Sequence, residues 1–142
     1  MRLLLDTGVL GQICHPRRHE DVRTWFRHAI GSHTFLISEL ADYELRRELL
    51  RVGATRSLAH LDELGRELLY VPVSTVVWRR AAALWAQARS DGNVTAHPHA
   101  LDGDALVAAQ ALEEEAVVVT TNPRHFEALG AHALEWPAVP IG

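Results

Sequence analysis

The chain has 142 residues, 48% of them hydrophobic, and a formal net charge of −4. That size fits one domain over residues 1–142 around a single core, and the acidic balance argues against a general nucleic-acid coating protein, which is usually basic. A lone cysteine, Cys14, excludes an internal disulfide framework and fits a reducing cytoplasm. Every basic residue is arginine. A GC-rich genome is the simpler reason for that bias, and arginine also suits bidentate phosphate contacts.

The opening MRLLLDTGVL holds an apolar stretch too short to cross a bilayer, and no small-residue cleavage site follows it. A soluble, cytoplasmic protein without membrane association is expected. Arg2 to Leu5 reads as a buried strand that delivers Asp6 at its end, and Thr7-Gly8 reads as a turn. Val9 to Ile13 fits a short helix, and His15 to Arg18 a polar loop around Pro16. Glu20 to Ile30 has helical spacing, with Val22, Trp25, Phe26 and Ala29 on one side, and Gly31-Ser32 ends it.

Thr34 to Ile37 reads as a second strand, and Ser38 as the N-cap of a helix over Glu39 to Val52 that Gly53 stops. Leu40, Tyr43, Leu49 and Leu50 take its apolar positions. Thr55 opens a further helix through Arg66, with Leu58, Leu61 and Leu64 inward. Leu68 to Val73 reads as a third strand broken by Pro72, and Ser74 caps a long helix to about Arg89. Asp91 to Leu101 reads as a loop, and a helix from Asp102 or Gly103 runs to about Glu114. Ala116 to Thr120 is a fourth strand. Asn122-Pro123 fits an N-cap followed by proline at the first helical position, opening a short helix to Leu129. Ala133 to Trp136 reads as a last strand.

Strands alternating with helices predict an α/β fold with a mostly parallel sheet. In such sheets ligands lie outside the carboxyl ends of the strands, near the switch in strand order. Asp6 and the Thr120 to Asn122 segment end two strands and are expected to share that crevice. Glu44, on the helix after the second strand, and Asp102 and Asp104, before the fourth, are expected beside it. Carboxylates gathered in one cleft repel each other unless a cation joins them, and Mg²⁺ or Mn²⁺ favours oxygen ligands. An acid at a strand end or a helix start is also common without any function.

The segments LLLDTGVL, ISELADYELRREL, LDGDALVAAQAL and VVVTTNPRHFEAL together resemble the PIN-domain family, particularly its VapC-like toxin ribonucleases. They occur in the family's order and span almost the whole chain. The resemblance implies a three-layer α/β/α domain with a mostly parallel sheet of four to five strands. It implies a metal-dependent endoribonuclease whose products carry 5′-phosphate and 3′-hydroxyl ends, with RNA as substrate, a cognate antitoxin as partner and a homodimeric assembly. Asp6, Glu44 and Asp104 match the family's three principal acids, and Asn122 the fourth position, where Asp is frequent. The resemblance thus assigns Mg²⁺ or Mn²⁺ to Asp6 and Asp104, with Glu44 reaching it through water. Thr121 is auxiliary; Asp102, two residues from Asp104, reads as an N-cap or else a metal or water contact. Gly8 departs from the family's usual Asn, and Asn122 removes one charge, so one firm metal and at most one loose one are expected.

Other residues weigh less. His97 and His99 flank Pro98 in a loop, no other histidine has a spacing suited to a zinc site on a helix, and His125 reads as an exposed helix histidine. Trp78 and Trp85, seven apart, read as core or interface packing, and Arg46, Arg47 and Arg51 as a solvated face that leaves one or two for an RNA backbone. A phosphohydrolase with Asp6 as nucleophile is disfavoured because a second Asp is absent two residues on, where Gly8 stands. A catalytically weak PIN module that only binds a partner is the other alternative, distinguished by the lack of a tight metal site.

Overall fold

A computed structural model describes residues 1–92 and 98–141. The apolar run at the amino terminus forms β1 (Arg2–Leu5), in which Leu3, Leu4 and Leu5 are all fully buried. Burial on both sides is what a central strand of a parallel sheet requires. β1 pairs in parallel with β2 (Thr34–Ser38) on one side and with β4 (Val117–Val119) on the other. β3 (Leu69–Val71) extends the sheet beyond β2, and β5 (Ala133–Leu134) beyond β4. The order is β3-β2-β1-β4-β5, and every pairing is parallel.

Helices cover both faces, as alternating side-chain direction along each strand demands. Leu3, Leu5, Phe35 and Ile37 point into a core shared with α1 (Thr7–Cys14), α2 (Glu20–Ala29), α3 (Glu39–Val52) and α4 (Thr55–Glu67). Leu4, Leu36 and Val118 point the other way, into a core with α5 (Thr75–Ser90), α6 (Pro98–Glu113) and α7 (Pro123–Glu127). This is the three-layer α/β/α arrangement expected. Among the described residues no helix is long and apolar enough to cross a membrane.

Local signals set most element ends. Ser38 Oγ accepts from the Ala41 N–H and Ser74 Oγ from the Val77 N–H, each at 3.2 Å, capping α3 and α5. Gly53 closes α3 in the left-handed region at φ 70°, where a Cβ would be strained. Across the layers, fully buried Gln110 on α6 accepts from the Ser38 hydroxyl and donates to the Val71 carbonyl at 3.0 Å.

Several expectations change. Thr7-Gly8 is not a turn: α1 begins at Thr7, because the Asp6 carboxylate itself takes the cap. Pro98 to Leu101 belong to α6, so the end of the anticipated Asp91 to Leu101 loop is helical, and Leu101 is buried in the core with α5. His97 lies outside the described residues. Trp136 leaves the sheet for a 3₁₀ turn, Trp136–Ala138. Tyr43 and Leu50 are exposed rather than inward, as are Trp78 and Trp85 on α5, which therefore do not build the core.

Candidate active site

The chain leaves β1 toward β2 on one side and later returns to place β4 on the other, so the strand order switches between β1 and β4. A crevice opens there at the carboxyl ends of the two strands. Asp6 stands at its floor. Its backbone N–H still belongs to the sheet, donating to the Val119 carbonyl at 3.0 Å. Its Oδ1 accepts from the Thr7 N–H and its Oδ2 from the Thr120 hydroxyl, both at 2.8 Å. Burial nevertheless raises the Asp6 carboxyl above the ordinary range, against the lowering effect of Thr120, Thr7 and the His125 ring.

Glu44 reaches the same crevice from the second turn of α3. Its Oε1 accepts from the Thr7 hydroxyl at 2.9 Å. α6 passes close by at Gly103, where a Cβ would lie 3.3 Å from Glu44 Oε2. The next residue, Asp104, completes the acidic group. Its Oδ2 is buried with no hydrogen-bond partner among the described residues. Burial first, then the Asp6 and Glu44 charges, push its carboxyl up to about 7. His125 Nδ1, from α7, is 3.6 Å from that oxygen, too far for a hydrogen bond and near enough for attraction when the ring is protonated.

Three carboxylates from three elements thus face one crevice, and one holds a buried oxygen without a donor. Oxygen-only donors and mutual repulsion fit a hard divalent cation. Among the described residues no three His, Cys, Asp or Glu side chains close tightly enough to cage an ion. An ion here would therefore rest on one or two carboxylates and keep several waters, as Mg²⁺ ordinarily does.

The remaining candidates fall apart from this group. Asn122 takes the N-cap position of α7 without capping it; its side chain donates to Thr121 Oγ1 at 3.2 Å, and both residues are exposed. The Asn122 backbone N–H, however, donates to Thr120 Oγ1 at 3.1 Å and so buttresses the threonine that holds Asp6. Thr121 and Asn122 line a cleft of about 600 Å³ with Pro123, Arg124, His125 and Glu135. Asp102 neither caps α6 nor joins the acids. It lies within the helix, exposed, in a shallow cleft beside Trp78 and Trp85, because residues two apart leave a helix in nearly opposite directions.

The sequence placed Thr120 beside the crevice and weighed His125, but the contacts that Thr7, Thr120 and His125 make to the acids escaped it. Thr7 and Thr120 adjoin expected elements, but their roles rest on contacts across the fold. His125 is half-buried against Asp104 rather than exposed. Arg46 is tied to Asp42 and Asp62 and Arg51 to Glu48, while Arg47 lies over the Tyr43 ring at 5.0 Å. Another cleft of about 610 Å³, lined by Ile13, Phe26, Ile30 and Leu64 with Arg23 and Glu63 among its charged residues, contains neither Asp6, Glu44 nor Asp104.

A parallel α/β/α fold with an acidic crevice at its switch point defines the class. Within it, the model of the PIN domain matches residues 3–131, and the chain belongs to that family. A comparison with curated proteins finds no match. Among solved structures, the fold is similar to a chain of VapBC2 from Rickettsia felis, bound to a DNA fragment from its promoter. There the TM-score is 0.78 and the identity 18%, covering 96% of this chain and 99% of that one. DNA-bound VapBC from Salmonella typhimurium gives a TM-score of 0.74 at 21% identity, covering 96% and 98%. FitAcB from Neisseria gonorrhoeae gives 0.70 at 21%, covering 96% and 99%.

Proposed function

We propose that this protein is a metal-dependent endoribonuclease and the toxin of a toxin–antitoxin pair, acting in the cytoplasm as a homodimer held in check by a cognate antitoxin. The observation that carries the catalytic half is Asp104, whose buried Oδ2 has no donor while Asp6 and Glu44 bear on it. The partner half rests on family membership and on the likeness to VapBC and FitAcB structures.

Asp6 and Asp104 would hold Mg²⁺ or Mn²⁺, with Glu44 joined through water. Such an ion lowers the pKa of a water and offsets charge on a phosphoryl group. The chain's own residues do the positioning. Thr120 and the Thr7 N–H hold the two Asp6 oxygens in fixed directions. The Thr7 hydroxyl occupies Glu44 Oε1, which leaves Oε2 to accept from the attacking water and orient it. Arg124, unpaired among the described residues, lines the adjoining cleft and is placed to meet a phosphate of the strand.

The test is cleavage of total cellular RNA with Mg²⁺ or Mn²⁺, run beside Asp6→Asn. Discrete fragments that vanish in the variant are expected. A folded Asp6→Asn protein with full activity overturns the reading. If neither protein cuts and neither binds metal, the chain is instead a binding module.

A further inference from the structure

Three parallel strands leave the sheet side by side at the acidic crevice. Leu5 of β1, Val119 of β4 and Leu134 of β5 stand in register and pack on the α1–α4 side. Asp6, Thr120 and Glu135 follow them, with extended backbone at Asp6 and Glu135, so alternation turns these residues toward the face that α6 and α7 cover. Asp6 and Thr120 join at 2.8 Å. Glu135 stands one strand further on, two strand spacings or roughly 10 Å from the Asp6 backbone. Its carboxylate does not cap the 3₁₀ turn that follows, and it forms no ion pair among the described residues.

Glu135 instead lines the cleft of about 600 Å³ that it forms with Thr121, Asn122, Pro123, Arg124 and His125, a volume within the range of sites that enclose a small ligand. Arg124 and Glu135 bring opposite charges to this one cleft, yet no ion pair joins them. The space between them suits a molecule with one anionic end and one donor end. The Asn122 amide N–H donates to Thr121 Oγ1 at 3.2 Å, which leaves Asn122 Oδ1 as a further acceptor. His125 is the wall common to both sites, lining the cleft while its Nδ1 lies 3.6 Å from Asp104 Oδ2. A ligand in the cleft therefore borders the acids directly.

An RNA strand with one phosphate at the acids carries its neighbouring nucleotide into this cleft. A carboxylate repels the phosphate and accepts only donors, so Glu135 faces the edge of a base. Among the four bases, guanine alone presents two adjacent donors, N1–H and N2–H, on its Watson–Crick edge. Adenine and cytosine set one amino group beside a ring acceptor, and uracil sets one N–H between two carbonyls. The two oxygens of a carboxylate accept both guanine donors at once. We propose that Glu135 is a specificity-determining residue that reads guanine in the nucleotide next to the scissile phosphate, with Arg124 on the phosphate between them. The RNA assignment rests on the nuclease reading; the guanine subsite itself does not. A free guanine nucleotide shares the chemistry and is the alternative source.

The test uses Asp6→Asn, which keeps RNA intact, and short single-stranded oligouridylates that carry one guanosine, inosine or adenosine. The guanosine strand is expected to bind about tenfold more tightly than the adenosine strand, with inosine, which lacks N2–H, between them. Glu135→Gln in the same background, altered at one exposed side chain, is expected to keep its circular dichroism and to bind the three strands alike. Removing a negative charge strengthens every strand together, so the ratio between strands is the reading. Backbone-amide NMR shifts at Asn122 and Glu135 with guanosine monophosphate, and none with adenosine monophosphate, are expected to locate the site. Equal binding of the three strands, or a guanosine preference that survives in Glu135→Gln, overturns the inference. Amide shifts with guanosine monophosphate but no preference among the strands overturn the RNA assignment and make this a free-nucleotide site. Wild-type cleavage measured in parallel separates the two readings. Cutting without a guanosine preference sinks only this inference, while guanosine-specific binding without cutting sinks the nuclease reading and leaves the guanine subsite standing.

Discussion

The Thr120 hydroxyl, fully buried at the end of β4, donates to Asp6 Oδ2 at 2.8 Å and so ties the exits of the two central strands together. Thr120 Oγ1 in turn accepts from the Asn122 N–H, which makes Thr120 a relay between the turn after β4 and the acid. Thr120→Val keeps the shape and removes the relay. It leaves a carboxylate oxygen and a backbone N–H without their partner, at a cost of roughly 1–3 kcal/mol. Urea denaturation at pH 8 checks the stability, and RNA cleavage is expected to fall with it.

Asp104 dictates a pH dependence. Its folded carboxyl is raised to about 7 from an ordinary 3.8, so between those values the folded protein holds a proton that the unfolded chain releases. Stability without metal should therefore be greatest below about pH 4 as far as this group is concerned, and decline as pH rises toward 7. Asp6, also raised, acts in the same direction. The contribution is at most about 4 kcal/mol. Asp104→Asn is expected to flatten that decline and to raise the melting temperature at pH 8. An unaltered slope in the variant would assign the dependence elsewhere.

The same carboxylates predict how divalent ions act on stability. Mg²⁺ or Mn²⁺ is expected to raise the melting temperature at pH 8, where Asp104 is ionised, and to do much less at pH 5, where it is protonated. Asp104→Asn should shrink the response at pH 8. Calorimetry at the two pH values, with and without the ion, reads it directly.

Gly103 separates stability from activity. A Cβ there meets Glu44 Oε2 at 3.3 Å, so Gly103→Ala displaces the carboxylate by a few tenths of an ångström. Alanine in a helix is favoured over glycine by about 1 kcal/mol. Thermal stability is expected to hold or rise, while RNA cleavage drops by about tenfold or more because Glu44 loses its position. Gly8 is the contrast: a Cβ there meets nothing within 4 Å, so Gly8→Ala should be tolerated in both respects.

Gln110 tests the scaffold behind the site. Fully buried, it accepts from Ser38 and donates to the Val71 carbonyl, linking α6 to two strands. Gln110→Leu strands both partners and should cost roughly 2–4 kcal/mol, read as a lower urea midpoint with an unchanged slope.

The order of strands and helices, the caps at Ser38 and Ser74 and the stop at Gly53 were all legible in the sequence, because each rests on residues a few positions apart. So was the choice of Asp6, Glu44 and Asp104 as candidates, from acids placed at element ends and from four segments in a family's order. What only the tertiary structure decided is how those acids are supported. Thr120 and Asp6 lie 114 residues apart and Thr7 and Glu44 lie 37 apart, and no local pattern announces such pairs. Because both lie within α6, Asp102 points away from Asp104, and the packing of α7 brought His125 against Asp104 instead of leaving it in solvent. A short chain segment carries its own propensities and caps; the direction of a side chain, and the burial that raises an acid's pKa, exist only once distant elements have packed.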